Sequence, residues 1–352
     1  LGKGGRHECV DCASGRIRIR TRYGKYGTPL GMATKIKRRP VHGVLLLDKP
    51  LGWSSNDILQ KVKWLLRAEK AGHTGTLDPL ASGVLPLCFG AATKFSQLQL
   101  DADKTYEATA VLGIQTSTGD AEGEIIAQRP VQVTEADIAR VQNQFTGAIQ
   151  QTPPMHSALK KDGKALYEYA RAGIEIEREA RAVTIHELAI QLAENTENHS
   201  AVTPNQAANL AIKMIVKCSK GTYIRTLGED IGEALGCGAH LSRLRRVATG
   251  GFQVAQCITL AELEAMPEEE RLARLLPVDS LLEHHTRVTL DADNAARFLN
   301  GLARRGTWAD SAQVAAYDPG GNLLGTGHIT RHELIPKRLL SPLEIEKKKK
   351  KS

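Results

Sequence analysis

The order of strand and helix patterns limits the folds open to this chain. Three segments have the apolar alternation or the continuous apolar run of strands: Gly43–Leu47, Lys104–Leu112 and Leu210–Cys218. Helix patterns begin near Ser54, Thr134 and Ile224. Because the two kinds of element do not alternate strictly, the chain lacks the βαβ order of a parallel sheet. We therefore predict the α+β class, with a mixed, mostly antiparallel sheet.

The pattern changes after Pro277, where glycines separate short apolar runs, and the stretch 288–327 predicts a small β-barrel with tight turns. A polar segment without periodicity, 195–209, predicts a surface loop. The sequence thus predicts four parts. They are a basic, disordered extension (1–40), a large domain (41–280), a small barrel domain (284–341) and a Lys-rich, solvated tail (342–352).

The net charge of +8 is concentrated at the two ends of the chain. Residues 1–40 carry 11 Lys and Arg against 2 acidic residues, and five lysines follow one another at 347–351, whereas 41–346 carry 31 basic and 37 acidic residues. Binding of nucleic acid by the large domain would therefore depend on a local patch. Such a patch occurs at 213–246, where Arg243, Arg245 and Arg246 are candidate phosphate contacts. A solvated helix end is the alternative.

Several classes of protein are disfavoured. The chain shows neither an apolar run long enough for a membrane span nor a secretion signal, so we expect a cytoplasmic protein. Among the cysteines only Cys9 and Cys12 have metal-site spacing, and no second pair follows them, so we expect incidental thiols and no metal site. No phosphate-binding glycine motif occurs in a strand–helix context, which argues against a nucleotide-binding enzyme.

One turn-rich segment, His73-Thr-Gly-Thr-Leu-Asp-Pro79, has the features of a catalytic loop. Proline after Asp78 restricts the backbone of that residue, and the neighbouring glycines allow tight turns and a close approach by a ligand. A carboxylate is ionised at neutral pH without the help of a base, which suits a nucleophile. The spacing alone leaves two readings open: a catalytic Asp78, or an Asp that caps a turn.

A resemblance narrows these readings. The runs Gly43-Val-Leu-Leu-Leu-Asp-Lys-Pro50 and Ala71-Gly-His-Thr-Gly-Thr-Leu-Asp-Pro-Leu-Ala-Ser-Gly-Val-Leu-Pro86 resemble the bacterial tRNA pseudouridine-55 synthases of the TruB family. So do Asp103-Lys-Thr-Tyr106, Ser157-Ala-Leu-Lys160 and Cys218-Ser-Lys-Gly-Thr-Tyr-Ile-Arg-Thr226. The C-terminal part is similar to a PUA domain, an RNA-binding module. His156 departs from the family, which often has an aromatic residue there.

The resemblance implies roles for particular residues. It makes Asp78 the nucleophile, Tyr106 the aromatic residue that stacks on the flipped base and handles the C5 proton, and Arg225 the partner of the catalytic aspartate. His73 would enter the T-loop and hold the base out. Lys49 has a structural or backbone-contact role, and Tyr223 is assigned to RNA binding, with core packing as its alternative.

The implied function is isomerisation of uridine 55 in the T-loop of tRNA. The base is flipped out, Asp78 attacks either the ribose C1′ or the pyrimidine ring, and C5 replaces N1 on the ribose. No cofactor, membrane or obligatory protein partner is implied, and we expect a monomer. Two alternatives are a non-catalytic protein that binds or folds tRNA, and a related synthase that acts on ribosomal RNA with accessory proteins. The Asp78, Tyr106 and Arg225 set argues against the first, and the short C-terminal domain argues against the second.

Overall fold

A mixed sheet carries the large domain of the computed structural model, which describes residues 37–194 and 210–349. The expectations for residues 1–36, including Cys9 and Cys12, for the 195–209 loop and for residues 350–352 lie outside the described residues. Arg39, which we had placed in the extension, belongs to the fold, since its amide donates to the carbonyl of Arg67 and its side chain pairs with Glu268 at 2.7 Å.

The described residues form the following strands: β1 (Gly43–Lys49), β2 (Ala71–His73), β3 (Ala81–Phe89), β4 (Lys104–Leu112), β5 (Ile114–Thr116), β6 (Ile125–Gln128), β7 (Gly147–Gln151), β8 (Lys160–Lys161), β9 (Lys164–Ala165), β10 (Arg181–Glu194), β11 (Leu210–Cys218), β12 (Ala239–Thr249), β13 (Phe252–Gln253), β14 (Ile258–Thr259), β15 (Thr286–Thr289), β16 (Arg304–Arg305), β17 (Ser311–Tyr317), β18 (Leu323–Thr330) and β19 (Glu333–Leu339). The helices are α1 (Ser55–Leu65), α2 (Ser96–Leu100), α3 (Glu135–Phe145), α4 (Leu166–Arg171), α5 (Ile224–Ala234), α6 (Leu260–Ala265), α7 (Glu268–Ala273), α8 (Ala292–Leu299) and α9 (Pro342–Lys349).

The main sheet has the order β14-β1-β3-β12-β4-β11-β10-β7, with β2 added to β3 and β13 added to β12. Only the β1–β14 and β3–β12 pairs are parallel in this sheet of the described residues. The predicted α+β class with a mostly antiparallel sheet is confirmed. Strand β12 was not predicted: the segment with Arg243, Arg245 and Arg246 is a central strand, so the alternative of a helix end is wrong.

One face of this sheet carries the first hydrophobic core. Alternating residues of β4 and β11, such as Ala108, Ala110 and Met214, point into it, as do the apolar faces of α1 and α5. Helix α5 lies against β12 because Gly232 has no side chain: a Cβ there would be 2.4 Å from the amide nitrogen of Ala239. This close approach fixes where the last turn of α5 meets β12.

The opposite face of β1 and β3 contributes to a second core. Val44, Leu46 and Val84 pack there in the same cluster as Phe298 and other residues of the C-terminal region. That region forms a five-stranded sheet of order β15-β17-β18-β19-β16, consistent with a PUA-like domain. The C-terminal sheet is therefore joined to the large sheet by a continuous apolar core.

Part of the predicted Lys-rich tail is structured. Residues 342–349 form α9, where Ile345 is buried in the second core. Lys94 ties this end of the chain to the large domain, because its ammonium donates to Glu344 at 2.8 Å and to the carbonyl of Leu339 at 2.9 Å.

We expect Gly83→Ala to destabilise the protein. Gly83 has φ +103°, and a Cβ there would lie 2.1 Å from the carbonyl oxygen of Arg246 on β12. Backbone strain and forced separation of β3 from β12 should together lower the free energy of unfolding by about 3 kcal/mol. Denaturant unfolding measures this. Gly72→Ala is the matched control, since nothing lies within 4 Å of its Cβ position, and an equal loss in both variants would contradict the explanation.

Candidate active site

A cleft of about 560 Å³ opens where the loop between β2 and β3 meets β4, β12 and the start of α5. The side chains of Asp78, Tyr106, Tyr223, Arg225 and Arg246 line it. The structure therefore brings together the three residues predicted to be catalytic, and it adds Tyr223 and Arg246 to the same cleft.

The loop that carries Asp78 is held from both sides. The buried hydroxyl of Ser55, at the start of α1, accepts from the amide of Leu77 at 2.8 Å and lies 2.9 Å from the carbonyl of the same residue. The amide of Gly52 donates to the carbonyl of Pro79 at 2.9 Å. Asp78 thus lies between two fixed residues, which preorganises its carboxylate.

Asp78 forms an ion pair with Arg225. The Nη2 atom of Arg225 lies 2.8 Å from Oδ2 of Asp78, and its Nη1 atom lies 3.3 Å from Oδ2 of Asp120. The side chains of Arg225 and Asp120 are each 6% exposed, whereas that of Asp78 is 44% exposed. One buried guanidinium therefore binds a buried carboxylate and a second carboxylate that is open to the cleft.

Backbone carbonyls complete the surroundings of Arg225. Its guanidinium donates to the carbonyl of Thr118 at 3.1 Å and to that of His156 at 2.6 Å. Because His156 acts here through its backbone, its departure from the family pattern leaves this contact unchanged. The other oxygen of Asp120 accepts from the hydroxyl of Thr118 and from the amide of Glu122. These bonds fix the direction of the guanidinium and so that of Asp78.

Tyr106 faces Arg246 across the β4–β12 pair. Arg246 is 1% exposed, and its guanidinium donates to the carbonyls of Val84 at 2.8 Å and Gly75 at 3.4 Å. Burial raises the pKa of the Tyr106 phenol, and the charge of Arg246 opposes this shift. Tyr106 is therefore a neutral phenol at neutral pH, on the cleft wall next to Asp78.

Lys49 has a structural place. Its ammonium is buried at the end of β1 and donates to the carbonyls of Trp53 at 2.7 Å and Pro50 at 3.0 Å. Burial lowers the pKa of Lys49 to about 8, and the charge of Asp78 opposes this shift. The Lys49 side chain therefore holds the turn after β1, and that turn supports the loop that carries Asp78.

His73 ends β2, just before the catalytic loop, and is half-buried. Burial, followed by the charge of Arg246, lowers the pKa of His73 below its ordinary value. The imidazole is therefore neutral at neutral pH, which suits contact with a base rather than with a phosphate.

Tyr223 is placed by its backbone. Its amide donates to the side-chain oxygen of Gln151 at 3.0 Å, and the side-chain amide of Gln151 donates to the carbonyl of Tyr223 at 3.2 Å. Burial raises the pKa of the Tyr223 phenol. Tyr223 is one of the residues that line the cleft.

The three arginines of β12 do not form one patch. Side chains alternate along a strand, so Arg246 lies on the cleft side, and Arg245 lies on the other face, where it pairs with Asp48 at 2.6 Å. Arg243 is exposed on the same side as Arg245. Arg246 is buried and Arg245 is paired with Asp48, so neither suits phosphate binding. Of the three, only Arg243 is exposed and could reach a phosphate.

Sequence reasoning missed Asp120 and Lys104. Asp120 lies in a turn-like Gly-Asp-Ala stretch, and only the fold brings it to Arg225. Lys104 lines the cleft while its ammonium donates to carbonyls at the end of α2, including that of Leu100 at 2.7 Å. Burial lowers its pKa to about 8, which the Asp103-Lys-Thr-Tyr106 motif alone could not show.

Comparison with known proteins identifies the class. Three family models match successive parts of the chain. They are described as "TruB family pseudouridylate synthase (N terminal domain)" at residues 63–224, "tRNA pseudouridylate synthase B C-terminal domain" at 225–283, and "Pseudouridine synthase II TruB, C-terminal" at 286–340. The solved structure described as "Crystal Structure of a Cbf5-Nop10-Gar1 Complex" matches with a TM-score of 0.62 and 26% identity, covering 88% of this chain and 87% of that one. The fold is that of a pseudouridine synthase.

Two similar proteins, each named tRNA pseudouridine synthase B, make the assignment more specific. The one from Verminephrobacter eiseniae (strain EF01-2) is 63% identical over 90% of this chain and 94% of its own length. The one from Ralstonia nicotianae (strain ATCC BAA-1114 / GMI1000) is 54% identical over 87% of this chain and 96% of its own. The chain belongs to the TruB family, and it catalyses pseudouridine synthesis on tRNA.

The described residues also bear on metal binding and on membrane insertion. Within residues 37–194 and 210–349, no three His, Cys, Asp or Glu side chains are grouped so that they could hold a metal ion. No helix in these two ranges is long and apolar enough to cross a membrane. That the reaction needs no cofactor stays a prediction.

We expect Asp120→Asn to slow catalysis and to leave RNA binding within a few-fold of the parent. The change keeps the shape but removes the buried charge that holds Arg225, so the Asp78 carboxylate loses its fixed direction. A misplacement of this kind costs on the order of 10² in rate. Single-turnover pseudouridine formation on tRNA measures it. Asp293→Asn, which breaks an exposed pair with Arg297, is the matched control, and equal rates in all three proteins would contradict the prediction.

Proposed function

We propose that this enzyme isomerises uridine 55 in the T-loop of tRNA, with Asp78 as its nucleophile. The observation that carries the proposal is the half-exposed Asp78 carboxylate, ion-paired at 2.8 Å with a buried Arg225 and placed beside Tyr106 in one cleft. A protein that only binds RNA has no use for a carboxylate fixed in this way at the site where a phosphate-rich ligand docks.

Capture of the uridine begins with base flipping. A uridine inside a folded loop is out of reach of Asp78, and its extrusion costs a few kcal/mol. Stacking on an aromatic side chain returns about 1–3 kcal/mol per base, and the half-buried ring of Tyr106 provides that surface. His73, neutral and next to the catalytic loop, is suited to fill the space that the base leaves.

The chemistry starts from the Asp78 carboxylate, which the adjacent Arg225 guanidinium holds in place. Its oxygen attacks either C1′ of the ribose or the pyrimidine ring, and the N1–C1′ bond breaks. The base turns within the cleft, a C5–C1′ bond forms, and the bond from Asp78 to C1′ or to the ring breaks, which frees the carboxylate. The proton then leaves C5 and one is taken up at N1, so the product is an isomer and nothing is consumed.

Two further residues are proposed to contact the RNA because of their exposure, charge or position. Arg243 is the exposed cation of β12 and is proposed as a phosphate contact. Tyr223 lines the cleft and is proposed to contact the flipped nucleotide. We propose that the T-arm of tRNA is the bound element, that a monomer in the cytoplasm acts on it, and that no partner protein is required.

We expect Asp78→Asn to abolish pseudouridine formation on a T-arm stem-loop. Asparagine keeps the shape and the loop but cannot form the covalent bond to the substrate. Binding of the RNA, measured by fluorescence anisotropy, should stay within a few-fold of the parent. Turnover above a few per cent of the parent rate would remove Asp78 from the nucleophile role, and modification at a position other than 55 would remove the assigned target.

Replacement of Tyr106 separates stacking from proton transfer. Tyr106→Phe keeps the aromatic face and loses only the hydroxyl. If that hydroxyl passes on the C5 proton, as we propose, the single-turnover rate should fall by about 10²–10⁴, while RNA binding barely changes. Tyr106→Ala should also weaken binding, because it removes the ring. A Phe variant as fast as the parent would leave Tyr106 as a stacking surface only.

A further inference from the structure

Glu229 lies one helical turn after Arg225 on α5, on the same side of the helix. Its carboxyl group occupies the space that a side chain at position 119 would fill: a Cβ on Gly119 would be 2.6 Å from Cδ and 2.7 Å from Oε2 of Glu229. Gly119 also has φ +72°, which disfavours other residues. The carboxyl is therefore packed directly on the backbone of the turn that carries Asp120.

That turn is fixed on its other side by β12. The amide of Leu241 donates to the carbonyl of Gly119 at 3.0 Å, and the amide of Ala121 donates to the carbonyl of Leu241 at 2.9 Å. Asp120 thus lies in a segment held between β12 and Glu229. A shift of the Glu229 carboxyl is transmitted to Asp120, and through Asp120 to Arg225.

The charges that act on Glu229 come from α5 and from the turn. On α5 they are Arg225, Asp230 and Glu233, and the turn contributes Asp120. Glu233 is itself paired with Arg129 at 2.9 Å. Among the four groups that act on Glu229, Arg225 is the positive one and the other three are carboxylates.

We propose that Glu229 is a positioning residue that acts through Asp120 and Arg225 on the aim of Asp78. With a neutral Glu229, Arg225 is shared by two carboxylates. Ionisation adds a third, which attracts the guanidinium away from Asp78 and repels Asp120. The proposal rests on the proposed function, because Asp78 must be the reacting group for its direction to matter.

The Glu229 carboxyl changes its protonation state near neutral pH, where the enzyme acts. Burial is the main cause that raises the pKa of Glu229 to about 7, Asp230 adds to it, and Arg225 opposes it. Below this value the carboxyl is mostly neutral, and above it the third negative charge is present. The Glu229 contribution to the rate is therefore greatest below pH 7 and is lost as the pH rises.

The test compares single-turnover rates of the parent and Glu229→Gln on a T-arm RNA from pH 6 to pH 8.5. Glutamine keeps the size and stays neutral, so the ratio of variant to parent rate should be near one at pH 6. It should rise roughly three- to tenfold by pH 8.5, the size of a coupling of up to one pKa unit. Asp293→Asn, which removes an exposed carboxylate outside this cluster, is the control and should give a ratio near one throughout.

Two further measurements keep the outcomes distinct. Glu229→Asp retains a titrating carboxyl and should retain the alkaline loss of rate that Glu229→Gln lacks. Melting temperature gives a readout without RNA: a carboxyl whose pKa is raised by folding lowers stability as pH rises from about 4.5 to 7, so the parent should melt lower relative to Glu229→Gln at pH 8 than at pH 5.

Parallel rate profiles for the parent and Glu229→Gln, with an active parent, would overturn this proposal and leave the proposed function intact. A parent that forms no pseudouridine at position 55 would overturn the proposed function instead. In that case a melting difference that does not change with pH would overturn the titration of Glu229 as well.

Discussion

The buried guanidinium of Arg225 is the interaction on which the rest of the site depends. A cation removed from water needs partners, and here two carboxylates and two backbone carbonyls surround the guanidinium. These partners come from separate parts of the chain: the catalytic loop, the turn at Asp120, and the segment before Ser157. The ion pair with Asp78 can form only when β4, β12 and α5 are all in place. The placement of the Asp78 carboxylate is thus a product of the whole large domain.

Local signals made much of the fold predictable. The Ser54 and Thr134 caps mark the starts of α1 and α3, because the side chain at each cap accepts from an amide three residues on. This contact lies within a few residues of the chain, so it can be recognised from the sequence. The alternation in β4 and β11 is equally local. Asp78 stands out in the sequence because proline and glycine restrict the backbone around it, although the spacing alone left a turn cap as the alternative.

What could not be predicted depends on contacts between distant segments. Nothing near Asp120 or Arg225 in the sequence links them, and their pairing is set by how β12 holds the turn at Leu241. The arginines of β12 look like one basic cluster in the sequence. Strand alternation then sends Arg246 into the cleft wall and Arg245 to Asp48, a division that becomes visible only when the segment is known to be a central strand.

The apolar core that joins the large sheet to the C-terminal sheet has a consequence for substrate choice. Val44 and Leu46 of β1 pack in the same cluster as Phe298, so the two sheets cannot swing apart without exposing that core to water. An RNA that touches both the C-terminal sheet and Asp78 must bridge a span that the protein sets in advance. The distance between the C-terminal sheet and Asp78 is therefore fixed, and an RNA stem of a different length would reach only one of them.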